Sequence, residues 1–195
     1  MSQRFIQFFM AAVLAFVAQF ALAVDKAALL DKIRDQSSEY SEFKELLNSP
    51  DQSVRFAAFD AMFNSGDPVL KEMAVDEALA YPDVTLQSVA FREIIMSLDI
   101  LNFQLKLPEG ADKKTANQVA SWSESISYKL NDKDVAAGRI IQCNHSASCL
   151  GQVSGLQLSI KSSCKLVATL SNGTQLKGLL SCKNMMPITV TANLR

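Results

Sequence analysis

Histidine is almost missing from this chain: His145 is the only one in 195 residues. That excludes metal sites built on paired imidazoles, and it confines any histidine-dependent nucleophilic centre to one stretch, QCNHSASC, Gln142 to Cys149. No G-x-S-x-G elbow is present. Cysteine does not occur before Cys143, so a lipidated cysteine at a processed N-terminus is not expected. Long apolar runs are scarce too, and beyond the first 24 residues nothing approaches the length that spans a bilayer. The basic residues are neither clustered as arginine nor interleaved with aromatics, which argues against a nucleic-acid surface.

What is present begins with MSQRFIQFFMAAVLAFVAQFALA: one positive charge at Arg4, an apolar run, then Ala21-Leu22-Ala23 in the small-x-small spacing of a cleavage site. This reads as an export signal over residues 1–23. A retained anchor is the rival reading, and Gln7 and Gln19 interrupt the run that it would need. Export implies an oxidising compartment, periplasmic or extracellular, with no membrane span once the signal is removed. The remaining chain is long enough to bury one or two cores.

Its charge is divided. Residues 24–110 hold 16 acidic and 8 basic side chains, a net charge of about −8, and residues 111–195 hold 4 and 10, about +6. Such halves either dock on each other, face partners of opposite sign, or present dispersed solvated charge.

The apolar period changes along the chain. From Val24 to Phe103 apolar residues recur at helical spacing, with one helix expected over Val84 to Leu101; from Trp122 onward they alternate. Pro108, Gly110 and the charges around them read as a linker, which sets the boundary near residue 110. Within the helical half, LLNSPDQSVRFAAF (Leu46 to Phe59) and ALAYPDVTLQSVAF (Ala78 to Phe91) match at positions 32 residues apart, including Pro50 and Pro82, Asp51 and Asp83, and Phe59 and Phe91. A period of that size means stacked helical hairpins, each entered through an aspartate cap. Asp67 and Pro68 start a further helix between them.

The run PDQSVRFAA, with Asp51, Val54, Arg55 and Ala58 spaced as D-x-x-V-R-x-x-A, resembles the second-helix entry of a HEAT-type repeat. The second copy keeps Asp83 and Leu86 and has Gln87 where the arginine would stand. The resemblance implies a ladder between Asp and Arg positions of neighbouring repeats, and an extended protein-binding surface. On that surface the expected contacts are Arg55, Phe56 and Phe63, with the polar stripe of the next helix, Thr85, Ser88, Arg92 and Asp99. Burial of the phenylalanines under neighbouring elements is the competing reading.

The C-terminal half reads as antiparallel strands with one apolar face. Four are expected from Leu156 to Leu194, and Ile126 to Leu130 and GRIIQC extend the set to five or six. Lys113 to Ser125 fits either helix or strand. The turn SNGT suggests a two-residue Asn-Gly hairpin, yet that register mixes polar and apolar faces. A register one residue away sets Leu170 against Leu176, Leu166 against Leu180 and Cys164 against Cys182, so the longer loop is expected.

Four cysteines allow three pairings. If Cys164 bonds Cys182, Cys143 bonds Cys149 by elimination, and His145 sits at the tip of a small disulfide loop. Zinc is not expected, because Cys143, His145 and Cys149 supply at most three ligands in a spacing unlike C-x2-C.

The expectation is an α+β chain of two domains: α-helical, HEAT-like repeats over residues 24–110, then a small disulfide-bonded antiparallel β domain over residues 111–195. With no catalytic set and no cofactor expected, the class is a non-catalytic protein-binding adaptor or assembly factor of the cell envelope. Two alternatives stand beside it: a periplasmic immunity or enzyme-inhibitor protein, and anionic glycan or lipid binding through Lys161, Lys165, Lys177 and Lys183, with Lys165 and Lys177 expected near each other on the outward face of the β hairpin.

Overall fold

The computed structural model describes residues 26–146 and 148–194, and the expected export signal lies outside them. The described residues fall into two compact units, one up to residue 42 and one from residue 43. Helix α1, Lys26–Leu47, runs from the first into the second. The second unit holds α2 (Gln52–Phe63), α3 (Pro68–Ala80), α4 (Val84–Ser97) and α5 (Lys113–Ser121). It also holds eight strands: β1 Ile100–Lys106, β2 Ser125–Asp134, β3 Arg139–Cys143, β4 Leu150–Ser154, β5 Gln157–Lys161, β6 Cys164–Ser171, β7 Gln175–Cys182 and β8 Ile188–Asn193.

Helices α2 to α4 start by one device. Asp51, Asp67 and Asp83 stand sixteen residues apart, and each carboxylate accepts a hydrogen bond from a backbone N–H of the first turn: Ser53 at 2.8 Å, Val69 at 2.8 Å and Thr85 at 2.9 Å. Each bond satisfies a donor that the helix leaves without a partner, a contribution of about 1 kcal/mol per cap. Helix α3 packs against both α2 and α4. Phe59, Phe91, Leu86 and Ile95 fill the space between them, while Ala74, Ala78 and Ala90 are fully buried and let the axes approach closely.

The strands run antiparallel in chain order, and β8 pairs with β1 to close a barrel. Closure removes the two edges that an open sheet would expose. Eight strands enclose an interior just wide enough for side chains to fill, and Leu101, Phe103, Tyr128, Ile140, Leu158 and Leu166 fill it. The wall is tightest at Gly178, opposite Ala168: a Cβ there would stand 2.0 Å from the Val167 carbonyl oxygen. Helix α5 joins β1 to β2, and its buried Thr115 accepts a hydrogen bond from Met186 N–H on the β7–β8 connection at 3.0 Å.

The barrel has eight strands where five or six were expected, and two of the differences have physical causes. Helix α4 ends at Ser97 instead of reaching Leu101, and the next residues form β1, so the change from helix to strand precedes the linker at Pro108. Leu98, Leu101 and Leu105 fit a helical stripe, while Leu101, Phe103 and Leu105 fit an alternating one; the short run satisfies both, and pairing with β2 and β8 decides it. Strand β4 buries only Val153, too little alternation to signal a strand. Residues 113–121 are helical, with Asp112 as cap to Thr115 N–H at 2.7 Å.

Candidate functional site

Arg55 is not a surface contact. Its side chain is buried, its Nη2 pairs with the Asp83 carboxylate, and its Nη1 donates to the carbonyls of Ser49 at 2.8 Å and Pro50 at 3.1 Å. The guanidinium lies 4.8 Å from the centre of the Tyr81 ring. Asp83 therefore caps α4 with one oxygen and holds Arg55 with the other. That Arg55 bond, with those from the Leu86 and Thr85 amides, holds the carboxyl below its ordinary value. The pair joins the first copy of the repeat to the second. In the second copy Gln87 stands in the arginine position and donates to the Leu79 carbonyl at 3.0 Å.

The phenylalanines are largely covered. Phe63 is buried, stacked on Phe59 at 5.4 Å, with the Lys71 ammonium 4.5 Å from its ring centre, and Phe56 is half-buried. Arg92 is half-buried, its Nη1 3.5 Å from the Ala136 carbonyl in the β2–β3 turn. Thr85, which is exposed, and the half-buried Ser88 and Arg92 line a cleft of about 150 Å³ with Val153 and Gly155. Asp99 lies beyond the helix and is 98% exposed, with Lys133 at 3.9 Å. Arg55 and Phe63, which are buried, do not share one exposed surface with Asp99.

The disulfides are Cys143–Cys149 and Cys164–Cys182, with Cα separations of 5.1 and 4.3 Å. The β6–β7 register is the one that sets Leu166 against Leu180 and Cys164 against Cys182. In the smaller loop Asn144 and His145 both have φ near +54°, and the Asn144 side chain accepts from the Lys129 amide at 2.8 Å, extending the β2 ladder. His145 is exposed.

The two lysines singled out on the hairpin are separated. Lys165 pairs with Ser181 and Lys177 with Thr169, four residues along the strands, or roughly 13 Å apart. It is Lys161 on β5 that lies directly opposite Lys165. Beside Lys161, an open groove of about 500 Å³ lies between β3, β4 and β5, with Ile141 and Leu150 on its wall. Sequence reasoning missed this groove. Two signals pointed to it: after Tyr128 the chain has no aromatic residue, and after Asp134 no acidic one.

Most carboxylates are engaged in the fold. Asp51, Asp67, Asp83 and Asp112 are caps, and Asp134 accepts from Arg139 at 2.7 Å. Burial pushes the Glu77 carboxyl up, but hydrogen bonds from Lys44 and Asn48 and the Lys44 charge outweigh it and hold the group below its ordinary value. Among the described residues no three His, Cys, Asp or Glu side chains gather as metal ligands would. Burial raises the Tyr128 phenol inside the barrel; its hydroxyl lacks a well-formed hydrogen bond, although the Ser162 side chain lies near enough to oppose that rise. No protein-family model, curated protein or solved structure matches the chain.

Proposed function

We propose that this protein is an exported, non-catalytic adaptor or assembly factor of the cell envelope that binds another protein through its helical region. The observation that carries the reading is α1. Of its 22 residues Leu47 alone is buried, and Leu29, Leu30 and Ile33 are 48, 43 and 51% exposed. Most helices in proteins owe their stability to packing of an apolar face, so one left exposed among the described residues fits a helix that is completed by a partner. The Arg55–Asp83 rung between repeat copies supports the HEAT-like reading of the helices that follow α1. The partner-binding role moves accordingly from Arg55 and Phe63, which are used inside the scaffold, to α1.

The test is capture from the native envelope fraction with the mature, disulfide-intact chain, beside a Leu29→Asp, Ile33→Asp variant of unchanged circular dichroism. A stoichiometric protein retained by the first and lost by the second is the expected result. Equal retention by both, or capture by neither, sinks the proposal. N-terminal sequencing of the exported protein is expected to begin at Val24.

A further inference from the structure

The outer wall of the barrel carries a feature that protein binding through α1 does not use. In an antiparallel sheet, like charges set directly opposite repel and reduce stability. Lys161 and Lys165 are such a pair, with Leu150 opposite Lys161 on its other side. From Val135 to Arg195 the chain has no Asp or Glu, neither lysine forms an ion pair among the described residues, and Asp134, the last acid, is engaged by Arg139. An unrelieved pair of cations on a surface that has other choices is a local conflict of the kind that marks a binding site.

Apolar surface adjoins the charge. Strands β3 and β4 pair at only two positions, Arg139 with Gln152 and Ile140 with Gly151, and the residues next in line, Ile141 and Leu150, lie outside the ladder. The β2–β3 register also shifts at this level, between Asp132 and Lys133. The groove of about 500 Å³ opens at this place, with Ile141 46% and Leu150 48% exposed on its wall and Arg139 and Lys161 at its rim. Its volume is that of a site for one small molecule. The wall has no aromatic ring on which a base could stack, which argues against a nucleotide.

We infer that this groove binds a single anionic amphiphile, a phosphate or carboxylate head on an aliphatic chain. The head group sits between Lys161 and Lys165, where it relieves their repulsion, and the chain lies along Leu150 and Ile141. The inference is independent of the role given to α1.

The test is calorimetric titration of the full, disulfide-intact mature chain with dodecyl phosphate held below its micelle threshold. Dodecyl maltoside, inorganic phosphate and a short polyglutamate peptide serve as comparisons. Expected is saturable one-to-one binding of dodecyl phosphate that is clearly tighter than any of the three. Replacement of both lysines, Lys161→Gln with Lys165→Gln, should weaken it by about tenfold or more, Leu150→Ser should weaken it as well, and the Lys→Arg pair should retain it. Each site is exposed, and a melting temperature that does not fall shows that the fold is intact. The inference is overturned by absent or non-saturable binding, by equal affinity for the maltoside or the peptide, or by indifference to the lysine and leucine changes. Binding to phosphatidylglycerol vesicles without binding of monomeric dodecyl phosphate also overturns it, since that describes a membrane surface and no single-molecule site.

Discussion

Helices α2 to α4 and strands β3 to β8 hold their side chains by different means. The helices pack aromatic residues, Phe59, Phe63 and Phe91, and connect successive segments with carboxylates that serve as caps and as the Arg55 partner. The strands bury aliphatic side chains alone, without an acid or an aromatic, and add two disulfides. Charge is thus part of the helical framework, whereas on the barrel it stands outside the framework. That is why losing a carboxylate's partner matters in the first region, and why Lys161 and Lys165, which form no ion pair among the described residues, stand outside the framework of the second.

The largest blow to this contrast comes from the helical core. Phe91→Ala removes a fully buried ring and should cost about 3 to 5 kcal/mol in denaturant unfolding, with hydrogen exchange rising in α2 to α4 before it rises in β5 to β8. Simultaneous loss would mean that the two regions unfold as one. Next is the barrel's covalent support. Replacing Cys164 and Cys182 by alanine opens the longer loop and should cost about 3 kcal/mol, against about 2 kcal/mol for Cys143 and Cys149, whose sequence separation is 6 against 18. An equal loss from the two pairs would show that loop entropy is not what the bridges contribute.

Acid should separate the regions more gently. A carboxylate held below its ordinary value contributes stability that is fully present above its unfolded value and is lost as the pH falls through the lower, folded one. Asp83 is in that state chiefly because of Arg55, so α2 to α4 should weaken as the pH falls below the ordinary aspartate value of about 4, before β4 to β8. Arg55→Met should lower stability at neutral pH and flatten this acid dependence, read from urea midpoints across the range. The smallest effect has the opposite sign. Lys165→Gln removes a like-charge pair and should stabilise the ligand-free protein by about 0.2 to 1 kcal/mol, an increase that high salt should erase.

Much of the local architecture was legible in the residues. Asp51, Asp67 and Asp83 announce helix starts because a short acceptor before an apolar run has one favourable use, and the Cys164–Cys182 bridge follows from a register in which a slip of one residue would turn every side chain to the wrong face. The candidate sites were less legible. The Arg55–Asp83 pair is the ladder that the repeat resemblance implies, but that the pairing buries Arg55 and removes it from the surface only packing decides.

The sequence by itself determined the caps, the repeat, the alternation of β5 to β8 and the register that sets Cys164 against Cys182, because each depends on neighbours along the chain or across one hairpin. The tertiary structure alone decided that Ile100–Lys106 is a strand, that β8 returns to β1, and that Lys161 stands opposite Lys165 beside the gap between β3 and β4. Those outcomes depend on closure. A barrel assigns each strand its two neighbours only when the last strand meets the first, and no local pattern of residues encodes that meeting.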